Sequence, residues 1–327
     1  VLAAARGLGA GADVGLLSVR SAGEWTACLP VKRYSRWHRI PLPCLATWRH
    51  SYCLLGTPLL AAEDASASAL ALLDGMRGAG RVAFAALAWV PADGPVGQAL
   101  SEAPVTGIDF ERISRATLIR RPQDDYLEGR VKGKHRREFR RMARALEEEL
   151  GGELELVDRS EDAAAVEAFL ELEASGWKGR EGTALASNPA HAEFFREVSR
   201  AFVARGELEL LFLQRGERIA AARYSLIAGG ASFCFKVAYD EELSRSSPGR
   251  ELELRLIDRF HEQGQLRWMD SCADSGNDLF DRLWPDRRDL LTQAFPAPGP
   301  LGTLAKGALR GAAAVRKRRA GRAGAER

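Results

Sequence analysis

The stretch ASFCFKVAYDEELSRSSPGREL, residues 231–252, decides the reading of the fold. Ala231–Tyr239 reads as a strand and Asp240–Pro248 as a polar loop. Gly249–Gln263 reads as a helix with Leu252, Leu256, Ile257 and Phe260 on one face. A loop entering a helix exposes unpaired backbone N–H groups at the positive end of the helix dipole, a setting that suits anions. Arg245, Ser246, Ser247, Gly249 and Arg250 add cations, hydroxyls and a glycine that permits close approach, and Pro248 fits the first helical position. Together they are candidates to cradle a pyrophosphate. The alternative is that Ser-Ser-Pro-Gly simply caps the helix.

Working outward, two tight turns, Arg215-Gly216-Glu217 and Gly229-Gly230, separate three strands at Glu207–Gln214, Arg218–Ala228 and Ala231–Tyr239. Upstream lie a strand at Glu153–Val157 and helices at Glu161–Ser175 and Ala190–Ala204, with Ser160 and Asn188 placed as N-caps. Downstream come a strand at Leu266–Asp270, a short helix near Asn277–Trp284 and a strand at Asp289–Ala294. Ahead of all of these, Phe139, Met142, Leu146 and Leu150 recur at spacings of three and four, so a helix is expected from Lys132 to Leu150. Its first turns are basic and its end acidic, the reverse of the macrodipole preference. The first half of the chain has a strand at Val14–Val19, a second at Trp25–Tyr34, a helix at Ala65–Met76 and strands at Arg81–Val90 and Ala116–Arg121.

This order, together with Gly133–Leu146 (GKHRREFRRMARAL), Trp177–Leu185 (WKGREGTAL), Phe235–Leu252 and Met269–Leu290 (MDSCADSGNDLFDRLWPDRRDL), resembles the GNAT-family N-acetyltransferases. The similarity is to the Fem-like, tandem-domain type often labelled as cellulose or polysaccharide biosynthesis proteins. It covers about Ile113–Phe295 closely and the first hundred residues loosely. The resemblance implies an α/β (α+β) tandem GNAT fold, with mixed central sheets flanked by helices and a degenerate N-terminal half. The implied domains are 1–125, 126–298 with its basic entry helix at 132–150, and a disordered basic tail at 299–327. The common phosphate loop of the family carries more glycine than Arg245–Arg250 does. The chain also lacks the leading helix that the resemblance implies.

The implied activity is transfer of an acyl group from acetyl-CoA or another acyl-CoA to an amine, with no metal. The acceptor would be a small molecule or glycan precursor in envelope or polysaccharide biosynthesis. Fem proteins proper use aminoacyl-tRNA instead, so that donor stays open, as does a non-catalytic scaffold role beside a polysaccharide synthase. Backbone N–H groups near Val237 and Ala238 are placed to polarise the donor carbonyl. Tyr239 is a candidate proton donor to the leaving thiolate, against plain packing. Asp240 and Asp270 end two strands and are candidates for base or amine binding, against loop capping. Glu173, Trp177, Lys178, Arg180 and Lys236 are the candidates for holding the acceptor.

Composition sets the outer bounds. The 327 residues are 46% hydrophobic and 28% charged, which excludes wholesale disorder. No apolar run approaches a membrane span and no secretory signal pattern opens the chain. Five scattered cysteines suit reduced thiols in a cytoplasmic protein. After Leu301, eight basic residues against one acid give +7 within a total of +3, so the rest carries −4. A second basic run spans Arg130–Arg144. These runs attract anions, and the readings are weak contact with an anionic membrane at the inner face for the tail and tRNA for either. The five histidines form no cluster.

Overall fold

The computed structural model describes residues 2–8, 13–121, 126, 129 and 131–325, with the backbone alone at residue 2 and over 319–325. Arg130 and the last two residues therefore lie outside the described residues. Its strands are β1 (Val14–Ser21), β2 (Glu24–Tyr34), β3 (Cys44–Thr47), β4 (Leu59–Leu60), β5 (Phe84–Pro91) and β6 (Ile108–Ile119). They continue as β7 (Glu155–Asp158), β8 (Leu208–Arg215), β9 (Arg218–Ala228), β10 (Ala231–Tyr239), β11 (Trp268–Asp270) and β12 (Asp286–Pro296). The chain divides into two compact units, Val1–Ser114 with Arg288–Arg327, and Arg115–Arg287. Each is a mixed α/β unit. Among the described residues no helix is long and apolar enough to cross a membrane.

In the first unit β1, β2 and β3 form an antiparallel meander. Strand β3 then runs parallel to β5, and β5 pairs antiparallel with β12. Helix Ala65–Gly78 bridges the parallel pair and buries Ala69, Leu72, Leu73 and Met76 against Leu29, Val31 and Leu87. Full burial of each large aliphatic side chain contributes roughly 1.5–3 kcal/mol. Beyond Thr47 the chain turns back on itself. The Gly56 N–H donates to the Trp89 carbonyl at 3.1 Å, and a Cβ on Gly56 would lie 1.9 Å from the Ala88 oxygen. The edge of β5 past its pairing with β3 is thus filled by the unit's own backbone.

The second unit repeats this plan with an open edge. Strands β7, β8, β9 and β10 are antiparallel neighbours, β10 runs parallel to β11, and β11 pairs antiparallel with Thr117–Ile119 of β6. Helix Pro248–Gln263 bridges β10 and β11 and buries Leu252, Leu256, Ile257 and Phe260. The strand that follows β5 in sequence therefore completes the second unit, and the strand that follows β11 completes the first.

Three expectations need correction. The C-terminal stretch expected to be disordered forms helix Pro300–Ala325, with Ala305 and Leu309 fully buried against Trp37, Phe84 and Phe110. Alanine is the best helix former, and Gly302 lets the helix sit so close that a Cβ there would be 1.7 Å from the Ala297 oxygen. Arg316 fixes it by donating to Glu111 at 3.0 Å and to the Phe110 carbonyl at 3.2 Å. Strand β6 begins at Ile108, eight residues before the expected Ala116. The helix expected from Glu161 starts at Ala163 and is capped by Asp162, which accepts from the Ala164 N–H, while Ser160 instead accepts from the Leu210 N–H at 3.0 Å.

Candidate functional site

Strand β10 pairs with β9 along its length but with β11 only over Ala231–Phe233. The β9 register shifts between Cys234 and Lys236, so Phe235 is bulged out of the ladder. Such a bulge re-aims the residues after it. The Asp240 N–H donates to the Ala220 carbonyl at 2.9 Å. By strand alternation, the peptide groups of Ala238 face β9, and those of Val237 and Tyr239 face the side β11 has left. An acyl carbonyl laid along that edge would meet N–H donors already in place.

The next turn supplies the anion site. Residues Glu241–Ser246 form a 3₁₀ turn, and Ser247 follows in the left-handed conformation at φ 52°, ψ 59°. That conformation is strained by about 1–2 kcal/mol for a residue with a side chain. The Arg250 and Glu251 N–H groups bond the Ser247 carbonyl at 3.0 and 3.3 Å, and Pro248 has no N–H to give. The Gly249 N–H is left as the first-turn donor without a partner among the described residues. It opens on a cleft of about 290 Å³ lined by Phe139, Tyr239, Ser247, Gly249, Arg250, Leu279, Arg282 and Leu283. The Arg250 guanidinium is held by Ser247 Oγ at 3.3 Å and Met142 Sδ at 3.0 Å, 5.2 Å over the Phe139 ring. Arg250 and Arg282 thus bring two cations to one cleft, with Asp278 as the acid beside them.

Two predicted cradle residues sit elsewhere. Arg245 is exposed and does not line the cleft. Ser246 is buried and donates to Glu149 at 3.3 Å, which ties the turn to the acidic end of helix Gly133–Leu150. On that helix Arg137, Arg140, Arg141 and Arg144 are exposed and line a shallow groove of about 430 Å³.

A second hollow, about 20 Å³, lies on the other side of Tyr239, lined by Glu173, Trp177, Lys178, Val237, Ala238 and Glu241. All five predicted acceptor residues gather here or beside it. Glu173 is buried at the end of helix Ala163–Ser175. Its Oε1 accepts from Lys236 Nζ at 2.6 Å and Lys178 Nζ at 3.4 Å, and its Oε2 accepts from the Leu185 N–H at 2.8 Å. Lys178 also donates to the Val237 carbonyl at 3.2 Å. Burial lowers its pKa, with Lys236 acting the same way against Glu173. The short helix Trp177–Arg180 leaves Trp177 44% exposed, an aromatic face open at the rim. Its N–H and the Arg180 guanidinium both donate to Glu241, and these bonds, the backbone one foremost, hold the Glu241 carboxyl below its ordinary pKa.

The two predicted aspartates line neither hollow. Asp240 caps the 3₁₀ turn by accepting from the Glu242 N–H at 3.0 Å and pairs with Arg218 at 3.3 Å. Asp270 is fully buried, accepts from the Cys272 N–H at 2.8 Å and faces Arg115 at 3.9 Å. Strand ends gather ligands only where the side chain reaches the cleft, and neither does so here. The sequence reading missed Leu279, Arg282 and Leu283, although it placed a short helix near Asn277–Trp284, which Asn277 caps by accepting from the Leu279 N–H. It also missed Glu241, whose role depends on a loop 61 residues earlier. Among the described residues no group of three or more His, Cys, Asp or Glu side chains could hold a metal.

Residues 133–301 match the acetyltransferase (GNAT) domain family. The structure is similar to the crystal structure of FemX, with TM-score 0.53 and 12% identity over 88% of this chain and 86% of that one. It is also similar to L-PGS from Bacillus licheniformis, with TM-score 0.51 and 10% identity over 94% and 91%. At such identities the likeness is one of fold. No curated protein matches the sequence.

Proposed function

Because the chain belongs to the acetyltransferase (GNAT) family, we propose that its second unit is an acyl-CoA-dependent N-acyltransferase acting on a small-molecule or glycan-precursor amine. The observation that carries this reading is that Tyr239 lines both the Gly249 cleft and the hollow beside the uncovered edge of β10. The donor's diphosphate would lie against the Gly249 N–H, Ser247, Arg250 and Arg282, anions meeting a helix start and two cations. Its thioester carbonyl would accept from the Val237 or Tyr239 N–H, where charge develops as the amine attacks. Tyr239 lines both hollows and is the group placed to return a proton to the thiolate. The acceptor would enter beneath Trp177, towards Glu173. The first unit, with its corresponding edge filled by Gly56, serves as structural support.

Calorimetric titration with acetyl-CoA tests the reading. Saturable binding that Ser247→Asp and Gly249→Glu each weaken is expected, and no binding to the folded protein overturns it.

One observation favours a second donor. The exposed Arg137, Arg140, Arg141 and Arg144 present four cations on one helix, the footprint of a polyanion such as aminoacyl-tRNA. Replacing all four by Gln should abolish salt-sensitive tRNA binding if that donor is used, and tRNA binding that ignores salt and these changes removes it. The exposed Lys306, Arg310, Lys317 and Arg318 of helix Pro300–Ala325 are the residues for weak contact with an anionic membrane.

A further inference from the structure

Lys178 lies where a solvated lysine would not. Its Nζ is within hydrogen-bond reach of the Val237 carbonyl and of Glu173 Oε1, and that same oxygen takes a shorter bond from Lys236. The other Glu173 oxygen is used by the Leu185 N–H. One buried carboxylate therefore serves two half-buried ammonium groups, and Lys178 is the more loosely held of the two. Cys234 nearby is a buried thiol whose own pKa is pushed up to about 12, so it stays neutral and compensates neither lysine. Burial and Lys236 both favour the neutral amine at Lys178, the form that is a nucleophile. The Val237 carbonyl and the Tyr239 N–H point to the same side of β10, so an Nζ resting on the first is one dipeptide from the second.

We propose that Lys178 is itself an acyl acceptor: with an acyl thioester lying along β10, the protein transfers the acyl group to Nζ of Lys178. The Nζ lone pair adds to the thioester carbonyl, the C–S bond breaks, and the departing thiolate takes the proton that Nζ gives up. The products are an N6-acyllysine and a free thiol. The modified side chain is neutral, so Glu173 keeps one cation, Lys236, and the acyl group fills the hollow that an incoming amine needs. Modification would thus slow transfer to any external acceptor. The inference rests on the acyl-thioester reading above.

The purified protein incubated with acetyl-CoA and examined by peptide mass spectrometry tests it. Acetylation at Lys178 should run about tenfold or more faster than at the exposed Lys132 and Lys306, because only Lys178 rests beside the strand edge that holds the thioester. Unfolding in urea, or Gly249→Glu in the folded protein, should bring Lys178 down to the rate of those controls. Saturable acetyl-CoA binding with Lys178 labelled no faster than Lys132 overturns the self-acylation and leaves the donor assignment intact. Absence of acetyl-CoA binding overturns both.

Discussion

Arg223 on β9 and Glu253 in helix Pro248–Gln263 form an ion pair in which neither side chain has any solvent exposure. Arg223 also donates to Ser225 Oγ at 3.0 Å and lies 5.3 Å from the Trp284 ring. The helix that starts at the Gly249 cleft is therefore pinned to the sheet in its second turn. Removing one member strands the other as a buried charge, which typically costs about 3–5 kcal/mol. Glu253→Ala should lower the denaturation midpoint accordingly. The double change Arg223→Met, Glu253→Leu should recover most of that loss, and a double-variant loss equal to the sum of the two single-variant losses would show the pair to be uncoupled.

Gly249 separates fold from binding. A Cβ there would meet only Tyr239 Cδ1, at an ordinary 3.8 Å. Gly249→Ala should therefore fold with an unchanged melting temperature. Gly249→Glu places a carboxylate where a diphosphate is expected, and should weaken acetyl-CoA by at least about tenfold, some 1.4 kcal/mol. Calorimetry and thermal melting on the same samples check both halves.

Gly179 shapes the loop over the smaller hollow. A Cβ at this position would fall 1.8 Å from the Ala174 carbonyl oxygen, so Gly179→Ala must shift backbone. A destabilisation of about 1–3 kcal/mol is expected, with Trp177 more accessible to acrylamide quenching. Wild-type stability and quenching would place the loop further from Ala174 than the structure has it.

The Glu241 latch predicts an acid transition. Its carboxyl titrates below the ordinary 4.5 because the Trp177 N–H and then Arg180 donate to the charged form. A depressed carboxylate contributes its full stabilisation above its unfolded value and loses it as pH falls through the folded one. Quenching of Trp177 should thus rise as pH drops below 4.5 in the wild type, and the step should be missing in Glu241→Gln. An identical step in both proteins would assign it to another group.

Much of the second unit was legible because its signals are local. The turns at Gly216 and Gly229-Gly230 fix the β8-β9-β10 meander, and the apolar face of helix Pro248–Gln263 follows from Leu252, Leu256 and Ile257. The cleft residues Tyr239, Ser247, Gly249 and Arg250 were legible for the same reason: a strand, a turn and a helix start lie consecutively in the chain. What escaped depends on direction rather than spacing. The left-handed turn at Ser247 decides that Ser246 faces Glu149 while Ser247 faces the cleft, and no pattern in the residues announces that rotation. Asp240 and Asp270 end strands as a ligand group would, but Arg218 and Arg115, distant in sequence, take them as partners. Helix Pro300–Ala325 reads as disordered because alanine and glycine offer little apolar area, whereas their small size is what lets the backbone pack closely.

The pairing of β5 with β12 has a consequence for biogenesis. Leu290 lies opposite Pro91 and Phe295 opposite Ala85, partners about two hundred positions apart along the chain. A ribosome releases residues in order, so the amino-terminal half emerges with one ladder edge waiting while the whole acyltransferase half is made. Loop closure of that span slows the final docking, and the unfinished edge is the part of a nascent molecule on which a chaperone would act. The segment from Arg288 onward, made after the second unit, is the one that finishes the first unit.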